Sequence, residues 1–302
     1  MERKRTRRSA LQHAMTARRV IVAPRLRMAP SDAKRAGARK ASGSQSLERG
    51  LDILEMIAAE GADVGVRELA RRSGLSPTIV QRLISSLAGR GYIEKNSETA
   101  RYRLGHQSLA LAASGEGAFD YVVAARRELE RLAHEHHLNG FVSVLRDGRA
   151  IYLLAVQADG PVAIKVSPGS EMPLHSTSAG KVLLAALGDG AARKLLGTRK
   201  LAAITPHTVT DPAVLVASLA KVRRQGFAIV NEENIPGVLS VGAPIRDRAG
   251  SVVAALSVAF PKYLDSGLSL HSAEPLVTGA AQRISRMLGT PPAMLLTGTR
   301  GA

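Results

Sequence analysis

Ser73-Gly74-Leu75-Ser76-Pro77-Thr78-Ile79-Val80-Gln81-Arg82-Leu83-Ile84-Ser85-Ser86-Leu87 decides the fold of the first half of the chain. Ser73-Gly74-Leu75 reads as a tight turn. Ser76-Pro77 reads as an N-cap followed by proline at the first helical position, where the missing N–H would have no partner anyway. The helix that starts there runs to about Ala88 and has two faces. Val80, Leu83, Ile84 and Leu87 form an apolar stripe, and Thr78, Gln81, Arg82 and Ser85 a polar one, each at the spacing of a single helix face. One side is built to be buried and the other to be presented.

Upstream lies a short helix from Val66 to Arg72 that buries Leu69 and Ala70. Before it a longer helix starts at Ser46 as N-cap and closes at Gly61. Leu47, Leu51, Leu54 and Ala58 recur on one face, with Glu48, Asp52 and Glu55 opposite. Downstream of Gly89-Arg90-Gly91 the period changes to two. Tyr92–Lys95 and Arg101–Leu104 read as strands joined by the polar loop Asn96–Ala100. Three helices and a hairpin make a winged helix-turn-helix over residues 42–105. Gln107–Ser114 is a small helix and Gly115-Glu116-Gly117 a hinge, giving a linker over 106–117.

Residues 118–290 read as a different kind of domain. A helix from Tyr121 to about His137 is followed by strands at Phe141–Leu145, Ala150–Val156 and Val162–Val166. Helices near Ser178–Leu187 and Pro212–Arg224 precede strands at Phe227–Val230, Ser240–Ile245 and Val252–Ala259. An amphipathic helix with Leu276, Ala280, Ile284 and Leu288 comes last, and residues 291–302 are a tail. A mostly antiparallel sheet flanked by helices puts the chain in the α+β class.

Composition narrows the chemistry. The chain has 302 residues, 45% of them hydrophobic, with no run near eighteen uncharged apolar residues, so a core forms and no segment reads as a membrane-spanning helix. The absence of cysteine removes disulfides, thiolate metal sites and cysteine nucleophiles, and fits a cytoplasmic protein. With 3% aromatics and no tryptophan, a stacking platform for single-stranded nucleic acid is a poor fit. Net charge is +17, but residues 1–41 carry thirteen Lys/Arg against Glu2 and Asp32, a surplus of +11, leaving +6 for the rest. Rich in Arg, Ala and Pro and without a sustained period, residues 1–41 read first as a basic, solvated, disordered tail. An organelle transit peptide and a late start at Met15 or Met28 are the other readings.

Between Arg67 and Arg103 eight basic residues face Glu68, Glu94 and Glu98. Arg71, Arg72, Lys95 and Arg101 suit phosphates through counterion release. Ser76, Thr78, Gln81 and Arg82 lead the third helix into a major groove, where Gln pairs with adenine and Arg with guanine through two hydrogen bonds. The bland alternative is a three-helix subdomain with a merely wet polar face. Cap, turn, helix faces and hairpin agree on double-stranded DNA binding.

The sequence also resembles the IclR family of bacterial transcription regulators over about Gln45–Leu288. The marks are Gln45-Ser46-Leu47-Glu48-Arg49-Gly50-Leu51-Asp52-Ile53-Leu54-Glu55, Glu68-Leu69-Ala70, Gly91-Tyr92-Ile93 and Tyr102-Arg103-Leu104-Gly105. Further on come Pro173-Leu174-His175-Ser176-Thr177-Ser178-Ala179-Gly180-Lys181, Asn231-Glu232-Glu233 and Gly242-Ala243-Pro244-Ile245. The resemblance implies a winged-helix DNA-binding domain, a linker helix and a GAF-like effector domain. It also implies a homodimer or a dimer of dimers acting on a DNA operator, with a small organic acid as effector. Carried over by position, effector contacts fall on Ser178, Ala179, Val230, Val238, Ser240 and Ser257. Some relatives have an acid at the position of Val230 and a hydroxyl at that of Ala259, which suggests a less polar effector here, an aromatic or medium-chain acid. Pro77 and Ile79 replace the family's usual basic and small hydroxyl residues, a departure that concerns the operator sequence.

Other signals weaken on inspection. Ser178–Val182 lacks the first glycine of a phosphate loop, and Gly237–Gly242 is one residue too long for a nucleophile elbow. His134, Glu135, His136 and His137 lack the i, i+4 histidine pair of a zinc helix. No catalytic residue, metal or cofactor is expected. The rival readings are an enzyme using Ser240 or His175 and a constitutive DNA-binding protein without effector.

Overall fold

The computed structural model describes residues 44–60, 62–113, 120–158, 162–263 and 268–295, together with the backbone of Arg19–Val22. Gly61, the hinge at 115–117, the end of the C-terminal tail and most of the basic tail lie outside the described residues. The chain forms two units: Met28–Phe119, and a larger one made of Met1–Arg27 with Asp120–Ala302. The first regular element, β1 (Arg19–Val22), belongs to the larger unit.

In the smaller unit α1 (Gln45–Glu60), α2 (Val66–Ser73) and α3 (Pro77–Gly89) precede the hairpin β2 (Ile93–Lys95) and β3 (Tyr102–Leu104), with Glu94 opposite Arg103. Backbone bonds of 2.8 and 2.9 Å between Val64 and Tyr102 add a bridge on the outside of β3. Gly74 closes α2 in the left-handed region (φ 70°), a conformation glycine adopts without a Cβ clash. Ile53, Ile57, Val64, Leu69, Val80, Ile84, Ile93 and Tyr102 form the core. Two expectations for α1 need correction. Ser46 is helical and not the N-cap, because the Glu48 N–H already bonds the Ser44 carbonyl at 3.0 Å. The helix also buries Gly50, Ile53 and Ile57, leaving Leu47 and Leu51 63% and 47% exposed. The helix carries two apolar stripes, and the one with isoleucines meets α3. Then α4 (His106–Ala113) follows the hairpin.

The larger unit opens with α5 (Asp120–His136). Its sheet contains β4 (Asn139–Arg146), β5 (Arg149–Val156), β7 (Glu171–Met172), β8 (Ala228–Asn231), β9 (Val238–Arg246) and β10 (Val252–Pro261), in the order β7-β5-β4-β10-β9-β8 with antiparallel neighbours. Alternation along the strands makes two cores. Leu239, Val241, Ala243 and Ile245 of β9, with Leu256, Val258 and Phe260 of β10, pack with α5 and α9 (Leu270–Met287). Val238, Ala255 and Ala259 face the other way, against α6 (Ser178–Ala186). Outside α6 lie α7 (Asp189–Leu196) and α8 (Pro212–Gln225), which share a further apolar cluster with it. A short α10 (Pro292–Leu295) follows α9.

Helix α6 lies directly on the sheet. A Cβ on Gly180 would sit 2.3 Å from the Leu174 carbonyl oxygen, and one on Gly242 would sit 2.9 Å from the Ser178 carbonyl carbon. Glycine at both places permits that approach. Glycines also explain why α7 escapes sequence reading: Gly188 and Gly197 flank a helix of two turns. β7 has only two residues, too few for a period.

One strand stands apart from the main sheet. β6 (Val162–Lys165) pairs in parallel with β1, Arg19 opposite Val162 through Val22 opposite Lys165. The expectation of a tail without regular structure therefore fails at Arg19–Val22. Three β-branched residues in a row, Val20-Ile21-Val22, supply a strand tendency that the composition of the whole tail conceals. Asn139, fully buried, ties β6 to the main sheet. Its Oδ1 accepts from the Ile164 and Ala158 N–H groups (2.9 and 3.1 Å), and its Nδ2 donates to the Val162 and Ala259 carbonyls (3.2 and 3.4 Å).

Candidate functional site

The smaller unit presents the turn and helix that open the sequence. The Ser76 hydroxyl accepts from the Ile79 N–H at 3.4 Å, and Pro77 occupies the first turn. Thr78, Gln81, Arg82 and Ser85 are exposed along the outer face of α3, while Val80 and Ile84 are buried beneath. Arg71 and Lys95 are exposed on α2 and on the hairpin. Arg72 and Arg101 are engaged with acids. Arg72 pairs with Glu60 and lies 4.0 Å from Glu68, and Arg101 meets Glu68 at 3.2 Å. Exposed pairs of this kind contribute about 0–1 kcal/mol, so a phosphate can displace the carboxylates. Arg103, which the DNA-contact set did not include, bonds Glu94 at 2.7 Å across the hairpin, and that carboxylate raises its pKa.

Sequence reasoning missed what aims the hairpin. Asn96 Nδ2 donates to Asp63 at 2.6 Å, and its Oδ1 accepts from the Glu98 and Thr99 N–H groups (2.9 and 3.3 Å). The asparagine thus closes its own turn and fastens it to the segment before α2. An Asn opening a polar loop was the available signal.

In the larger unit Ser178, Ala179, Val230, Val238, Ser240 and Ser257 all line one cavity. They come from the start of α6 and from strands β8, β9 and β10, which Gly180 and Gly242 bring together. The Ser240 hydroxyl donates to Ser178 Oγ at 2.6 Å. Thr177 caps α6, accepting from the Gly180 N–H at 3.1 Å and donating to the Pro173 carbonyl at 2.6 Å. The first-turn N–H groups of Ser178 and Ala179 precede the i→i−4 ladder and have no partner within their own helix, so this end attracts an anion.

The remaining wall includes Phe141, Tyr152, Ile164, Met172 and Ile235, none of which the sequence reading singled out. The Phe141 and Tyr152 rings lie 5.6 Å apart and tilted by 57°. Burial pushes the Tyr152 hydroxyl up to about 12, so it stays protonated. No lysine, arginine or carboxylate lines the cavity among the described residues. Its volume is ≈ 50 Å³, a third of the roughly 150 Å³ of an apolar cavity that accepts benzene. Apolar side chains make up most of the lining.

Ion pairs brace the segment between β8 and β9 that backs the cavity. Lys181 of α6 reaches both Glu233 oxygens (2.5 and 2.7 Å), with both side chains nearly buried. Lys262 pairs with Glu232, whose second oxygen accepts from the Gly237 N–H at 2.9 Å. Lys262 first, and that N–H second, hold the Glu232 carboxyl below the usual carboxylate range. Ser176 donates to Asn234 at 3.1 Å, and Asn234 lines the cavity. His175 Nε2 lies 2.9 Å from the Ala202 carbonyl, and no histidine lines the cavity beside Ser240 among the described residues.

The chain matches the family model of the bacterial transcriptional regulator IclR C-terminal domain over residues 118–286 and that of the IclR helix-turn-helix domain over 46–97. It is 32% identical to the HTH-type transcriptional regulator BhcR of Paracoccus denitrificans over 254 residues, 82% of this chain and 89% of that protein. To XynR of Escherichia coli it is 28% identical over 247 residues, 82% of this chain and 98% of the other. Among solved structures, Thermotoga maritima IclR aligns with a TM-score of 0.63 at 25% identity, covering 81% of this chain and 98% of that one. A transcriptional regulator from a Rhodococcus species does so with 0.63 at 27%, covering 81% and 98%. With both family domains matched in order and together spanning most of the chain, this protein belongs to the IclR family of transcriptional regulators.

Proposed function

We propose that the protein binds a double-stranded DNA operator through α3 and the β2–β3 hairpin, and that a small organic acid in the α6 cavity controls this binding. The observation that carries the reading is the convergence of Ser178, Ala179, Ser240 and Ser257 on one apolar-walled cavity at a helix N-terminus. Thr78, Gln81 and Arg82 read base edges; Arg71, Lys95 and, once released from Glu68, Arg72 and Arg101 hold phosphates. In the cavity the α6 N–H groups and the serine hydroxyls hold the carboxylate, and Phe141, Ile164 and Val238 hold the apolar part. The effector shifts the balance between arrangements that suit or misfit the operator. Two copies act together, joined through the Leu47–Leu51 stripe of α1, so that two α3 helices meet two half-sites.

The enzyme reading finds less support, because the Ser240 hydroxyl donates its hydrogen bond to Ser178 and not to a base. The test is a mobility-shift titration with DNA from beside the protein's own gene, repeated with a panel of two- to eight-carbon acids. One or more acids must change operator affinity while remaining chemically intact. A panel without effect on a protein that binds its operator would leave only the constitutive reading.

A further inference from the structure

Helix α6 has two ends, and only the first faces the effector cavity. At the other end the sheet and helix leave an open groove of ≈ 560 Å³. Leu145, Leu183, Leu187 and Val252 supply apolar walls, and Arg146 and Arg246 supply positive charge. Arg246 is 8% exposed, yet it forms no ion pair among the described residues. One N–H of its guanidinium donates to the Gly250 carbonyl at 2.9 Å. A nearly buried guanidinium normally faces a carboxylate, because removing an unpaired charge from water is costly.

The nearby acids do not answer it. Asp247 turns its carboxylate into its own loop, accepting from the Ala249 and Ser251 N–H groups, both at 2.9 Å. Asp147 and Asp247 follow the two arginines in sequence but do not line the groove. Glu274 lies in the neighbouring cavity that Arg246 also borders, and there it accepts from Thr278 at 3.5 Å. The carbonyl end of α6 offers Arg246 only the partial charge of a helix terminus.

We propose that this groove is a second ligand site, for an amphipathic organic anion. The carboxylate of a medium-chain acid lies against Arg246, with the exposed Arg146 at the rim, and its hydrocarbon lies along Leu145, Leu183, Leu187 and Val252. Such a ligand completes the pairing that the guanidinium lacks and covers apolar surface, including Leu187, which is 37% exposed. The site is separate from the α6 N-terminal cavity, and eight of the nine α6 residues between the two are buried, so the helix links them as one packed element.

Octanoate binding to the full chain, followed by calorimetric titration, tests this. Saturable binding is expected, with octanol about tenfold or more weaker, because it keeps the body and loses the charge-assisted bonds. Arg246→Gln lowers octanoate affinity by a comparable factor, and Arg146→Gln, at the rim, lowers it by less. Ser240→Val, which narrows the other cavity and removes its hydroxyl, leaves it in place, so the result does not depend on the effector reading. Should Arg246→Gln fail to fold, Arg146→Gln at an exposed position decides. The proposal falls if octanoate does not saturate, if octanol binds as well, if the arginine variants bind as the parent does, or if Ser240→Val abolishes binding.

Discussion

Ser240 spends its only hydroxyl hydrogen on Ser178, which leaves the Ser178 hydrogen free to be offered onward. A carboxylate arriving at the α6 N-terminus meets a relay of two hydroxyls. Removing the first member by Ser240→Ala loosens the second. A neutral hydroxyl–hydroxyl bond contributes about 0.5–1.5 kcal/mol, so Ser240→Ala should raise the effector concentration needed for the DNA response by about 2- to 13-fold. Basal operator binding should stay as it is. Dose–response curves in the mobility shift measure both, and superimposable curves would mean that Ser240 serves only the fold. On the DNA side, Arg82→Ala should weaken operator binding by about 1–3 kcal/mol at fixed salt, through lost base or phosphate contacts. An unchanged titration would take Arg82 out of the interface. At this scale the cavity residues named in advance, serines and apolar residues alike, came from the family resemblance by position, whereas Phe141, Tyr152 and Ile164 look like any other core residue until the chain folds around the cavity.

Elements were legible where one periodicity ruled. The α3 faces and cap follow from the sequence because its apolar and polar stripes do not overlap. The α1 face did not follow, because Leu47-Leu51 and Ile53-Ile57 form competing stripes and tertiary packing chooses between them. The β6 segment looked like one more strand of the sheet, and nothing local reveals that it lies apart, held by Asn139. That side chain serves four backbone groups, so Asn139→Leu leaves several of them buried without partners. Each such group costs about 1–3 kcal/mol, and denaturant titration should show a loss of at least that size. The Ile164 side of the effector cavity should loosen with it. A variant as stable as the parent would mean that water takes the place of the amide.

For the molecule as a whole, acid should be destabilising by a traceable route. Arg283, bonded to Glu128 at 2.7 and 2.8 Å, is the main cause that holds this carboxyl below its ordinary 4.5, and it thereby joins α9 to α5. Glu232 is likewise held low. Carboxyls with depressed folded-state values bind fewer protons folded than unfolded, so their stabilisation is complete above about pH 5 and is lost as pH falls through the folded values. Glu128→Gln should therefore flatten the acid limb of a stability–pH profile, and an unaltered limb would assign it to other groups. Deleting residues 1–27 should leave the main melting transition in place. Amide exchange at Val162–Lys165 should speed up, since β1 no longer covers that edge, and unchanged protection there would remove β1 from the fold. That four-residue contact also changes what sort of thing the DNA-binding unit is. The chain leaves the larger body after β1, builds the winged helix and comes back at Asp120, so the smaller unit is an insertion and not an appendage. A single nick between residues 23 and 43 leaves it moored at its exit. A nick between 114 and 119 leaves it moored through the backbone pairing of β1 with β6. Two cuts are needed to cast it loose.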